Sequence, residues 1–446
     1  MKKVIIIGAG IAGIASSIRL RAKGFDVKVF ESNSYPGGKI SSFNLGDYRF
    51  DAGPSLFTMP HFVDELFDLF SENSKDHFLY KKKDISCNYF WEDGTRLSAF
   101  SDKNKFAIEV EKKLGVPTTR LLKYLKKAEK KYDLTKTIFL EKSLHKLSTF
   151  LNLDTLKAIL NLNIFQISKS LNDVNEKELI EPHLIQLYNR FATYNGSSPY
   201  KTPGMMTLIQ HLEQEYGTYV VEKGMVDITN ALFKLAKRKG VVFKFNENVS
   251  KILVENKKAI GIQAKNKKYY SDYVVSNMDV VPTYDKLLKD QKKPTIVLNQ
   301  ERSSSAIIFY WGVKKEFPDL DLHNIFFSDN YKKEFDSIFN KKEVYNDSTI
   351  YINITSKDLP SDAPKNSENW FVMINSPNNE NQNWKTITND LRKNVIKKIN
   401  NILKTDLIPF IEEERVYTPQ DIELKTQSYL GSLYGASSNN KMSAFL

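Results

Sequence analysis

The densest chemistry in this 446-residue chain lies close to its amino terminus. Gly8-Ala9-Gly10-Ile11-Ala12-Gly13 spaces three glycines as a turn that accepts a pyrophosphate needs them. Gly8 permits the tight turn, Gly10 lets the backbone approach the phosphates, and Gly13 lets a following helix pack closely. The first N–H groups and positive dipole end of that helix then face the anion. Glu31 stands eighteen residues after Gly13, where a carboxylate meets the ribose hydroxyls of an ADP moiety. Its negative charge disfavours a 2′-phosphate, which argues against NADP.

These residues need elements to hold them, and the flanking sequence supplies them. Val4-Ile5-Ile6-Ile7 is short, β-branched and apolar, as a strand buried on both faces of a parallel sheet is. Ile14 to Lys23 carries apolar residues at Ile14, Ile18 and Ala22, with Gly24 as a stop. Phe25 to Phe30 returns as a second strand and ends in Glu31, completing a βαβ unit. After Glu31 and Ser32 come two more turns, Tyr35-Pro36-Gly37-Gly38-Lys39 and Asp51-Ala52-Gly53-Pro54-Ser55. A nicotinamide dinucleotide does not need them. A ribityl chain and isoalloxazine running on from the pyrophosphate does need such a second wall.

Together, GAGIAG, FE, YPGGK and YRFDAGPSLFT resemble the amino-terminal signature of the phytoene desaturase (carotenoid desaturase) family, within the wider amine-oxidase-like flavoproteins. The segments DAGPSLFTMP and VVSNMDVVPTY resemble the 1-hydroxycarotenoid 3,4-desaturase branch more than phytoene desaturases proper. The resemblance implies an α/β fold: a discontinuous Rossmann-like FAD-binding domain, an antiparallel-sheet substrate domain and a helical, membrane-facing insertion. The expected boundaries are 1–80, 215–285 and 416–446 for the first, 81–105 and 286–415 for the second, and 106–214 for the third. It implies FAD as cofactor, held by Gly8, Ala9, Gly10, Ile11, Ala12, Gly13, Glu31, Ser32, Gly37, Gly38, Lys39, Gly53, Pro54 and Ser55. Val249, beside the adenine, and Asn277, closing over the cofactor, complete the set. The implied substrate is a long polyene carotenoid, and the electron acceptor a membrane quinone or oxygen. The family continues past the position of Leu446 with a Gly-rich loop and a helix facing the pyrophosphate, so the expectation is a chain that lacks this closing element and binds FAD weakly.

Elsewhere the pattern is coarser. Residues 106–185 recur apolar at helical intervals, and Leu144, Leu147, Leu151, Leu156, Ile159, Leu160, Leu162, Phe165 and Ile167 are interleaved with lysines. Either a buried cap or a face resting in a bilayer interface reads this way. Ile228 to Lys239 reads as a helix and Val241 to Phe245 as a strand. Val249–Val254 with Ala259–Ile262 reads as a hairpin, and Tyr273–Val275 as a further buried strand. Ala306–Val313, Asn324–Phe327, Thr349–Ile354 and Trp370–Ile374 read as antiparallel strands, and Thr386–Leu403 as an amphipathic helix.

Composition bounds the partners. The net charge is +12 and comes mainly from lysine, scattered among acids. Base readout and phosphate clamps favour arginine, so nucleic acid is not expected and an anionic membrane surface is. No run reaches the length of a spanning helix. There is one cysteine, Cys87, which allows no internal disulfide, and no secretory leader is visible. The expected place is the cytoplasm, peripherally attached to the inner face of the membrane. The six histidines form no metal-ligand pair. His61 follows the Gly53-Pro54 loop but reads as structural, and Arg190 and Tyr194 are the nearest candidates for a base. The rival readings are another enzyme of the superfamily, an amine oxidase or a retinol saturase-like reductase, or an inert truncated membrane-bound scaffold.

Overall fold

Lys3–Ile7 runs through the middle of a four-stranded parallel sheet, between Tyr273–Ser276 and Asp26–Phe30, with Val242–Lys244 at the far edge. The computed structural model describes residues 1–136 and 162–440. From Val4 to Ile7 the central strand is apolar because both faces are covered. Val4 and Ile6 pack with Ile14 and Ile18 of the helix Ile11–Ala22, and with Ile228, Leu232 and Leu235 of the helix Val226–Arg238. Ile5 and Ile7 face the opposite way, against Val249, Ile252 and Ile262. Those three belong to a small antiparallel sheet of Val249–Glu255, Lys258–Ala264 and Lys267–Tyr270. Its first turn places Asn256 and Lys257 at positive φ, as a two-residue hairpin requires.

A seven-stranded sheet forms the second layer, in the order Ile411–Tyr417, Ser305–Val313, Glu368–Ser376, Ile350–Ile354, His323–Phe326, Ile85–Phe90, Arg96–Phe100. It is mixed rather than wholly antiparallel, because His323–Phe326 and Ile85–Phe90 run parallel. No turn joins these two strands; more than two hundred residues lie between them in the sequence, which frees them from hairpin geometry. Alternation gives the sheet two apolar faces. Ile307, Phe309, Trp311, Trp370 and Val372 meet the helix Trp384–Leu403. Ile308, Tyr310 and Phe371 point the other way, toward Phe50 of the hairpin Ser42–Leu45/Tyr48–Asp51.

Helices within 103–136 and 171–214 cover the remaining end of that sheet. Their limits follow from local chemistry. Asp102 caps Lys103–Leu114, which ends at Gly115 with φ +70°. Ser170 and Asp173 form a reciprocal capping box at Leu171–Leu179, and Glu181 caps Pro182–Asn189. Of the apolar stretch suggested for a bilayer, Leu144 to Leu160 lies outside the described residues. Phe165 is buried against Met205, so this residue faces the protein core. Among the described residues no helix is long and apolar enough to cross a membrane.

Candidate active site

The glycine turn sits at the carboxyl end of Lys3–Ile7. Gly8 N–H donates to the Phe30 carbonyl (2.8 Å), and Gly37 N–H donates to the Ala9 carbonyl (2.8 Å). The second glycine loop is thereby laid against the first. A Cβ on Gly38 would stand 3.3 Å from Gly10 Cα, and one on Gly13 would strike the Gly8 carbonyl oxygen. No side chain caps the helix Ile11–Ala22, and its first turn holds no acid. Its free N–H groups open onto a bare glycine cradle. Glu31 is buried, its Oε2 accepting from Ala9 N–H (2.7 Å) and its Oε1 from Asn33 N–H (2.8 Å). Two carboxylate oxygens offer about four acceptor positions, so capacity for a ribose hydroxyl remains. Asn277 closes the other side, its side-chain nitrogen 3.0 Å from where a Gly10 Cβ would lie. Val249 sits below the turn, in the core with Ile5, Ile7 and Phe30.

Beyond the cradle opens a cavity of about 1120 Å³. Single small-molecule sites usually measure roughly 300–1,000 Å³, so this one has room for more than one group. Gly38, Lys39, Gly53, Pro54 and Ser55 form one wall. The floor is the inner face of the seven-stranded sheet: Ile308, Tyr310, Ile325, Phe371 and Met373, with Tyr351 and His323. Lys39 donates to the Leu433 carbonyl (2.7 Å). Burial lowers its pKa, while Asp279 pulls the other way and Arg302 adds to the lowering. Asp279 is itself ion-paired with Arg302.

The far end of the cavity is polar. Arg190 donates to Glu213 (3.2 Å) and to the Tyr89 hydroxyl (2.8 Å), and its guanidinium lies 4.4 Å over the Phe191 ring. The Tyr194 hydroxyl donates to the same carboxylate. Along the floor, Ser55 Oγ is hydrogen-bonded to Tyr351 Oη (2.7 Å), which is hydrogen-bonded to His323 Nδ1 (2.7 Å).

Residues 11–338 match the model of the flavin-containing amine oxidoreductases. The chain belongs to that family. A 1-hydroxycarotenoid 3,4-desaturase of a Flavobacterium species is 53% identical over 446 residues, covering 100% of this chain and 91% of that one. A 4,4′-diapolycopene oxygenase of a Methylomonas species is 31% identical, over 97% and 88% of the two chains. Among solved structures, a putrescine oxidase variant superposes with a TM-score of 0.64 at 11% identity, covering 97% of this chain and 89% of that one. An oxidoreductase from Methanosarcina mazei gives 0.61 at 16%, covering 93% and 86%. At such identities the structures speak for the fold alone.

This flavin oxidoreductase takes FAD as its cofactor. The uncapped helix, the glycine cradle and the buried Glu31 fit the dinucleotide half, and the walled cavity fits the ring. The sequence leaves the base unassigned, with Arg190 and Tyr194 as its nearest candidates, and the surroundings of both favour the protonated form. Burial lowers the pKa of Arg190, but Tyr89 and Glu213 overcome it and keep the guanidinium charged. Burial, reinforced by the Glu213 charge, holds the Tyr194 phenol protonated. His61 does not line the cavity; its ring lies 4.4 Å from Phe62 and 5.4 Å from Tyr216. Sequence reasoning missed Glu213, Tyr310, His323 and Tyr351. The only trace was the alternation of the strands that carry three of them, which marks a face but not what the face meets.

Proposed function

We propose that this FAD-dependent oxidoreductase desaturates an acyclic, hydroxylated carotenoid, introducing a C=C bond next to the existing polyene. One observation carries the reading most: a large apolar-floored cavity begins at the glycine loops on the dinucleotide side and runs over the inner sheet face. The 53% identical desaturase names the substrate class for that shape. A polyene offers no group for a nucleophile to attack, so its oxidation needs a two-electron acceptor. FAD, when bound, would supply that two-electron acceptor for the hydride of an allylic C–H, while the adjacent carbon gives up a proton to the medium and the electron pair left behind closes the double bond.

The chain's own residues do the rest. Gly8 to Gly13, with Ala9, Ile11 and Ala12 between, hold the pyrophosphate through main-chain N–H groups, and Glu31 with Ser32 holds the ribose. Val249, whose side chain is in the core, meets the adenine end through its main chain, and Asn277 closes over the turn. Gly37, Gly38, Lys39, Gly53, Pro54 and Ser55 wall the ring. Ile308, Ile325, Phe371 and Met373 align the polyene and keep water from the reacting carbons. The segments 1–80, 215–285 and 416–446 act as the cofactor domain, 81–105 and 286–415 as the substrate floor, and 106–214 as the cap.

A bilayer-soluble substrate must be met at the membrane. The lysine-rich, apolar stretch around Leu144 to Ile167, apart from the buried Phe165, is the proposed contact, on the inner face of the membrane, with a quinone or oxygen as final acceptor. Expression in bacteria that make different carotenoid precursors, read by pigment chromatography, tests the reaction. A hydroxylated acyclic precursor should gain a double bond; unchanged pigment in every host would refute the reading. Flotation with anionic liposomes tests the docking. Binding that is indifferent to deletion of 144–167 would rule that stretch out.

A further inference from the structure

The cavity floor contains a polar atom that a hydrocarbon cannot satisfy. His323 is 3% exposed, lines the cavity, and its Nε2 is buried without a hydrogen-bond partner. The other ring nitrogen is fully engaged. Nδ1 is hydrogen-bonded to Tyr351 Oη (2.7 Å) and lies 3.3 Å from Asn353 Nδ2. The Asn353 amide is oriented by its donation to the Leu322 carbonyl (3.0 Å), so the group facing His323 is an NH2. Nδ1 therefore accepts, and the ring proton belongs on Nε2. Ser55 holds Tyr351 from the cofactor-side loop (2.7 Å), which fixes the imidazole plane. The result is one N–H on a buried ring that lines the cavity, with no hydrogen-bond partner among the described residues. Buried polar groups are nearly always paired, and an exception calls for a partner.

We propose that His323 Nε2 donates to the hydroxyl of the carotenoid and is the residue that selects the hydroxylated end group. This rests on the desaturase reading and deepens it. A smooth apolar tunnel grips a long polyene equally well at any offset, because every register buries similar surface. A single directional hydrogen bond removes that freedom. In a 1-hydroxy substrate desaturated at C3–C4, the oxygen lies only three and four bonds from the two reacting carbons. An anchor on the oxygen therefore places the reacting C–H bonds directly. Discrimination follows from the same geometry: a hydrocarbon end leaves Nε2–H unpaired, whereas a hydroxyl satisfies it. Sites built around such a bond reject the analogue lacking it by far more than apolar contacts achieve.

The test uses purified chain loaded with FAD and presented with liposomes holding either a 1-hydroxylated acyclic carotene or the same carotene without the hydroxyl. Wild type should favour the hydroxylated substrate by about 100-fold or more in kcat/KM, and should bind it more tightly in the absence of turnover, read from the polyene absorbance. His323→Phe should collapse both ratios toward one and scatter the position of the new double bond. His323→Gln, which retains a side-chain N–H, should keep most of the preference. Flavin content and spectrum should match wild type in both variants. The proposal falls if His323→Phe slows both substrates equally, if it alters FAD binding or the flavin spectrum, or if Tyr310→Phe rather than His323→Phe removes the preference. It also falls if wild type turns over both carotenes alike, an outcome that leaves the desaturase reading standing. Failure of wild type to desaturate either carotene would remove both.

Discussion

Glu213 is the counter-charge for a cation buried at the end of the substrate cavity, and replacing it with Gln isolates that cation. Glu213 and Arg190 have side-chain exposures of 4% and 11% and stand 3.2 Å apart. At an effective dielectric near 20 their attraction is about 5 kcal/mol. Desolvating both groups offsets much of that, yet removing one partner leaves the other's cost unopposed, typically about 3–5 kcal/mol. Some of this is recovered locally. Arg190 keeps the Tyr89 hydroxyl at 2.8 Å and lies over the Phe191 ring at 4.4 Å. Such cation–π contacts contribute about 0.5–2 kcal/mol, and glutamine can still accept from Tyr194. Glu213→Gln should thus destabilise by about 2–4 kcal/mol. The assay is denaturant unfolding of the FAD-loaded protein, followed by tryptophan fluorescence. The double variant Arg190→Met/Glu213→Leu removes both charges and should recover most of the loss, since apolar replacement of a whole buried pair is often neutral. A single-variant loss below about 1 kcal/mol, or a double variant no more stable than the single, would show that the pair is not isolated from water and refute the reasoning.

Three other outcomes follow from the same structure. Gly10→Val should abolish FAD binding while the chain still folds, because even a Cβ there reaches Asn277 Nδ2 at 3.0 Å and the larger side chain fills the phosphate cradle; stoichiometric flavin in a folded variant would contradict this. His183 is hydrogen-bonded to Glu181 and Asp93, each at 2.8 Å, and although burial lowers its pKa, these carboxylates leave it raised above 6.5. Its contribution is therefore fully present below pH 6.5 and lost as pH rises through the folded value, so His183→Gln should lower the thermal midpoint at pH 5.5 more than at pH 8. Cys87 is buried and its thiol is pushed up to about 12 by burial, so iodoacetamide at pH 8 should label it only after unfolding; rapid labelling of the native protein would show the floor to be open to solvent.

The dinucleotide end was legible in the chain because its determinants are local. A strand, a glycine turn, a helix and an acid follow one another within about thirty residues, and each is specified by neighbours in sequence. Lys3–Ile7, Ile11–Ala22 and Asp26–Phe30 appear close to where periodicity and Gly24 placed them, and Tyr273–Ser276 returns beside the first strand. FAD rather than NAD was legible too, from Gly37-Gly38 and Gly53-Pro54. The substrate end was not, for a physical reason. Its floor is assembled from strands that pair across the sequence, as far apart as Asn88 and Asn324, and strand alternation reveals a buried face without naming what it faces. Arg190 and Glu213 are twenty-three residues apart, on opposite sides of a turn, and only packing brings them into one ion pair. The same packing keeps the Arg190 guanidinium charged and the Tyr194 phenol protonated. Ser55, Tyr351 and His323 come from three separate segments, yet they form one hydrogen-bonded line across the cavity. That line, and the single ring nitrogen it leaves unpaired, exist only in the folded chain, because the hydrogen bonds that orient the imidazole are all tertiary.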